Sequence, residues 1–158
     1  MRLPLVDLAL YALAAALLVA ALARHGARVE RGGVRASWTL TPGVVNPAVT
    51  PETLRTTICR RGWTRTIRPP VSYTNDLKRR GLRAYGLRGP PTAYQEDHLI
   101  SLELGGHPTD PRNLWPEPYP RASAVDRIEN ELNAQVCSGA LSLWDAQVKE
   151  ARLKHAEG

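Results

Sequence analysis

Apolar positions fall into a few short patterned stretches separated by long aperiodic ones. Residues 96–106 read EDHLISLELGG. His98, Ile100, Leu102 and Leu104 share one parity while Asp97, Leu99, Ser101 and Glu103 take the other, which predicts a strand with a polar start. Gly105-Gly106 ends that run, the polar loop HPTDPRN follows, and Leu114-Trp115 before Pro116 predicts a very short return strand. From Ala122 to Cys137 the period becomes helical, with Val125, Ile128, Leu132 and Val136 on one stripe and Gly139 as the stop. Ser142 with Asp145 three residues later forms a capping-box pattern for a last helix through Trp144, Ala146 and Ala151.

Upstream the pattern is sparser. Thr50-Pro51-Glu52 offers a cap, a proline suited to the first helical position and an acid that complements the helix dipole, so a short helix is expected with Leu54 and Ile58 on one face, ending near Cys59. RRGWTRTIRPPVSY is expected to be irregular or extended, because Pro69-Pro70 block a helix. A second helix is expected from Thr74-Asn75 to about Tyr85, and GLRGPP, residues 86–91, is a loop. Residues 24–49, rich in Arg, Gly and Pro and lacking either period, are expected to be a flexible basic linker. The order of elements predicts an α+β fold in one small domain over residues 50–155, with a basic part at 50–90, a central motif at 94–137 and a C-terminal helix at 142–155.

The first 23 residues stand outside that fold. Leu8 to Ala23 is an uninterrupted apolar run of 16 residues ending in the small-x-small signature Ala21-Leu22-Ala23, which predicts a signal peptide or an N-terminal membrane anchor. Arg24, Arg28, Arg31 and Arg35 follow the run and only Arg2 precedes it, a distribution that favours a cytoplasmic C-terminal part if the segment stays in the membrane. The cysteines point outward instead. Cys59 and Cys137 lie 78 residues apart in no metal-ligand spacing, so they form one disulfide or remain two buried thiols. The expected location is therefore extracytoplasmic, whether secreted, periplasmic or membrane-anchored, with a cytoplasmic-facing anchor as the alternative.

Charge adds a polarity that the hydropathy pattern does not show. Residues 24–90 carry 14 Lys/Arg against three acids, whereas residues 91–158 carry six against eleven, within a total of +6. The basic half suits a polyanion, either nucleic acid or anionic lipid, and the acidic half suits a cation.

Within the acidic half, Asp97-His98, a loop closed by Asn113 and a helix bearing Asp126 together resemble the HNH or ββα-metal nucleases. Asn113 lies 15 residues after His98 and Asp126 lies 28 after it, offsets similar to those of colicin-type DNases. The stretches TICRRGWT, RPPVSYTNDLK, DHLISLELGG, DPRNLW and DRIENELNAQVCSGAL also resemble a family of small exported bacterial HNH-like proteins, over residues 40–147. The resemblance implies a ββα-metal hairpin-helix core, a divalent metal ion and phosphodiester hydrolysis. It departs from the pattern at the helix, where Asp126 replaces the usual His or Asn, and at Val125, where the exported family leads one to expect Lys.

Phosphodiester hydrolysis needs an activated water, neutralisation of charge growing at phosphorus and help for the departing 3′ oxygen. The candidate catalytic residues are His98, an imidazole suited to the general base near neutral pH, and Asn113, which ties the loop that holds it. Asp97 and Asp126 are the candidate metal ligands; their oxygens suit Mg or Mn, with Zn as a further option. A regular strand sends Asp97 and His98 to opposite faces, so joint use of both requires the strand to start or bulge there. His107 is a spare imidazole in the adjoining loop and Glu103 a spare acid. Arg60, Arg61, Arg65 and Arg68 around Trp63 are the candidate nucleic-acid-binding residues, four phosphate contacts beside one stacking surface. No small-molecule cofactor is implied. Two function classes follow: a metal-dependent endonuclease acting on nucleic acid, most readily DNA, with little sequence specificity, and a non-catalytic envelope protein that binds an anionic polymer through the same arginines.

Overall fold

A computed structural model describes residues 34–156. The expected signal or anchor at 1–23, including the apolar run 8–23, and residues 24–33 of the expected linker lie outside the described residues.

The fold is α+β, as the order of sequence patterns predicts. Its centre is a two-stranded antiparallel sheet, β1 (Tyr94–His98) and β2 (Leu114–Pro118), in the register Asp97↔Trp115 and His98↔Leu114. Around it lie α1 (Trp63–Ile67), α2 (Val71–Ala84), α3 (Tyr119–Ser138) and α4 (Leu143–Ala156). β2 runs directly into α3, whose early Pro120 occupies a position where no intrahelical donor is needed. Gly139 closes α3 with φ +79°, and Ser142 caps α4: its Oγ donates to Asp145 Oδ2 at 2.7 Å and accepts from the Asp145 N–H at 3.1 Å.

The expected strand from Asp97 to Leu104 is shorter than its alternation predicts. Pairing stops at His98, and Leu102–Leu104 forms a 3-10 turn. The cause lies in Asn113. Its Oδ1 accepts from the Ile100 N–H at 3.0 Å and its Nδ2 donates to the Ile100 carbonyl at 3.0 Å, so a side chain takes over where a main-chain ladder would have continued. Gly106 lets this happen, since a Cβ there would lie 1.7 Å from the Ile100 carbonyl oxygen. The apolar alternation that suggested a long strand instead feeds the core, where Ile100 and Leu104 meet Val49, Ile58, Leu132, Val136, Leu143 and Ala146.

The largest other difference lies before residue 50, where long-range hydrogen bonds hold the chain. The stretch expected as a flexible linker is part of the folded unit from Val34 to Val49. Ala36 N–H donates to Lys154 O at 3.0 Å, His107 N–H to Val44 O at 2.7 Å, and Ala36, Thr41 and Val49 are buried. The second helix begins at Val71, not Thr74, because extended Pro70 serves as its N-cap residue and the proline pair precedes the helix without interrupting it. Trp63–Ile67, expected to be irregular, is a one-turn helix, and the helix expected after Thr50 is a 3-10 turn at Leu54–Thr56. Cys59 and Cys137 form a disulfide with Cα atoms 5.5 Å apart, tying the basic segment to the end of α3.

Candidate functional site

The end of β1, the start of the turn after it, and the middle of α3 border one cleft of about 370 Å³. Asp97, His98, Asp126 and Arg68 all line it, so the structure brings together both candidate metal ligands, the candidate base and one of the four candidate arginines.

His98 is buried, and its Nε2 lies 3.0 Å from the Pro108 carbonyl oxygen. A carbonyl only accepts, so Nε2 carries the proton and Nδ1 keeps the lone pair of the neutral ring. Burial lowers the imidazole pKa, outweighing the opposite pull of the Pro108 carbonyl and the Asp97 carboxylate. The ring is therefore neutral near pH 7, the form a general base requires.

Asn113 is fully buried and makes four hydrogen bonds: besides the two to Ile100, Oδ1 accepts from the Val44 N–H at 3.3 Å and Nδ2 donates to His107 O at 3.1 Å. It braces the loop that carries Pro108, the partner of His98. His107 has its own local task, because its Nδ1 accepts from the Thr109 and Asp110 N–H groups at 3.3 and 3.0 Å.

Asp97 is where the structure adds most to the sequence reading. Its Oδ2 accepts from Lys154 Nζ at 2.8 Å, and the same ammonium donates to Glu129 Oε1 at 2.6 Å and His98 O at 2.5 Å, with Glu150 Oε1 at 3.3 Å. Lys154 is fully buried near the C-terminal end of α4. Burial pushes its ammonium pKa down, but Asp97, Glu150 and Glu129 together hold it well above the ordinary value. Burial likewise pushes Asp97 up, and Lys154 reverses this to leave the carboxyl below its usual range. The surrounding glutamates move the other way: burial raises Glu129 to about 9 and Glu117 to about 8, and raises Glu150 as well. Asp97 thus holds its negative charge, while burial pushes Glu117 and Glu129 toward the protonated form. Glu117 is also paired with Arg121 at 2.6 Å, and Glu150 accepts the Ser101 N–H.

None of Lys154, Glu117, Glu129 or Glu150 was singled out from the sequence. The only available signal for the pair Glu150 and Lys154 is their i,i+4 spacing on a helix whose Leu143 and Ala146 are apolar.

Glu96 also lines the cleft, and neither of its carboxylate oxygens has a hydrogen-bond partner among the described residues. Burial raises its pKa to about 8. Asp126 is exposed on α3, and Glu103, partly buried, presents its carbonyl to Asn133 Nδ2 at 2.7 Å.

As a cation site the cleft offers carboxylate oxygens and one imidazole. No three His, Cys, Asp or Glu side chains converge as a ready metal cage among the described residues. Such a donor set suits a hard ion that keeps several waters, as Mg²⁺ does, better than zinc, which closes on three or four protein ligands.

Three of the four candidate arginines line two neighbouring hollows, and Arg65 lines neither. Arg68 borders the cleft, while Arg60 and Arg61 line a neighbouring hollow beside the disulfide. Glu103 and Asn130 belong to the walls of both, so the two are continuous along α3. Arg60, Arg61, Arg65 and Arg68 are exposed. Trp63 is half-buried against the core cluster, which leaves less of its ring for stacking than the sequence suggested. No family model matches the chain, and neither a curated protein nor a solved structure matches it.

Proposed function

We propose that this chain is a metal-dependent endonuclease that hydrolyses nucleic-acid phosphodiesters with little sequence specificity. The observation that carries the reading is the shared cleft: a neutral, carbonyl-oriented His98 beside Asp97, Asp126 and Arg68, behind a loop braced by Asn113. In this reading His98 removes a proton from the attacking water through Nδ1, and Asn113 fixes the loop that orients the ring. Arg68 receives the scissile phosphate, and Arg60 and Arg61 extend the phosphate path along α3. Asp126 and the Asp97 carboxylate would hold a hard divalent cation, Mg or Mn, which supplies charge neutralisation at phosphorus and at the departing oxygen. The disulfide is consistent with an extracytoplasmic setting, where residues 1–23 act as a signal or anchor.

One observation favours a second reading, binding of an anionic polymer without turnover: the Asp97 carboxylate is already paired with Lys154. Incubation of the full chain with supercoiled plasmid and Mg²⁺ or Mn²⁺ separates the two. The nuclease reading expects nicking that falls about 100-fold or more in His98→Ala. Equal nicking by wild type and variant rejects it, and salt-sensitive retention of DNA without nicking selects the second reading.

A further inference from the structure

Two tryptophans lie on a surface that the cleft does not use. Trp38 is 59% exposed and Trp144 is 70% exposed, and both border one apolar hollow of about 460 Å³ together with Val45, Val148 and Ala151. Val45 is itself 45% exposed. Trp38 is held in this position, not left to fold inward. Its ring stacks on His155 with centroids 3.5 Å apart, and His155 Nδ1 donates to Ala36 O at 2.9 Å. Trp144 stands in the first turn of α4, where Leu143 and Ala146 are buried and the indole is turned out.

An indole combines an apolar ring with one N–H donor, the chemistry that places Trp at the boundary between lipid chains and headgroups. A cation borders the same patch. Arg152 lines the hollow, and Lys149 lines the neighbouring one that Arg152 also borders, which suits anionic headgroups. The position along the chain agrees. The apolar run of the sequence ends at Ala23, and Trp38 follows Val34, the first described residue, by four positions. The stretch from Ala23 to Val34 reaches at most about 40 Å when fully extended.

We propose that the face carrying Trp38 and Trp144 docks on the headgroup layer of an anionic bilayer. This rests on the reading of residues 8–23 as a retained anchor, and it adds a defined orientation for the folded unit above the membrane.

The test uses the full chain reconstituted into vesicles of phosphatidylcholine and phosphatidylglycerol, part of the lipid brominated near the glycerol end of its chains. Flotation reports the anchor, and bromine-dependent quenching of tryptophan emission reports the face. The expected result is a floating protein whose quenching falls at least about twofold in Trp38→Ala/Trp144→Ala, since Trp115 is buried and Trp63 half-buried. A floating protein whose quenching is unchanged in the double variant overturns the docking face and leaves the anchor standing. A protein that does not float overturns both. Should Trp38→Ala disturb the fold through its contact with His155, as near-ultraviolet circular dichroism would show, Trp144→Ala alone decides by the same comparison.

Discussion

Lys154 Nζ donates to Asp97 Oδ2 at 2.8 Å across 57 residues of chain, so the acid at the head of the candidate site is fixed by the last helix of the fold. Replacing Lys154 by Met removes the one cation that Asp97, Glu129 and Glu150 share and leaves His98 O without its donor. Breaking a buried charge group in this way costs about 3–5 kcal/mol. The expected outcome for Lys154→Met is a loss of at least about 3 kcal/mol in urea unfolding at pH 7, and an unchanged midpoint would show that the network contributes nothing.

The same network predicts how stability changes with pH. Glu129 and Glu117 have folded-state pKa values raised to about 9 and about 8, so the native state binds more protons than the unfolded chain above the ordinary glutamate range. Where the native state holds more protons, stability falls as pH rises. This contribution is fully present below the unfolded value of about 4.5 and is progressively lost up to about 9. Asp97 has the opposite sign, since its lowered pKa adds stability that disappears only on acidification. Unfolding midpoints should therefore decline from pH 7 to pH 9. Glu129→Gln keeps an acceptor for Lys154 and does not titrate, so its decline should be shallower than that of wild type. Parallel curves would remove Glu129 from the account.

The hairpin and the helix after it were legible because each is a local matter of period, capping and turn chemistry. Gly139 stops α3 and Ser142 caps α4 as their positions in the sequence suggest. What was not legible depends on partners far away in the chain. A lysine near a C-terminus reads as solvent-facing until three carboxylates from β1, α3 and α4 surround it. Residues 34–49 show no period because their internal hydrogen bonds are isolated turns, and others run to distant partners, Tyr85, Gly105, His107, Arg112, Asn113 and Lys154. The strand alternation through Leu104 misled for a related reason: apolar positions at period two also fit a bend that feeds Ile100 and Leu104 into one core.

The disulfide offers a separate handle. Cys59 and Cys137 close a loop of 78 residues, and a crosslink of that span stabilises the folded chain by about 4 kcal/mol if it acts mainly on the unfolded ensemble. Reduction, or the double change Cys59→Ser/Cys137→Ser, should lower stability by that order in guanidinium unfolding. Because the bond also tethers the segment bearing Arg60 and Arg61 to the end of α3, retention of DNA at moderate salt should weaken with it. Identical stability with and without reductant would show that the crosslink constrains the unfolded chain little.

Asn113 provides the sharpest separation between holding the site and doing the chemistry. Its amide satisfies two main-chain N–H groups, of Ile100 and Val44, and two carbonyls, of Ile100 and His107. Truncation to Ala leaves these groups in a buried place without that partner, at about 1–3 kcal/mol for each that finds no substitute. Asn113→Ala should therefore lose at least about 3 kcal/mol in chemical denaturation. Asn113→Asp keeps the acceptor but sets a carboxylate against two carbonyls, so it should not restore the loss. Nicking per folded molecule should fall in both variants, because the loop that Asn113 braces also carries Pro108, whose carbonyl orients His98. The acid limb of the remaining activity should keep its position if His98 still supplies the base. A displaced limb would mean that the loop tunes the imidazole as well as placing it.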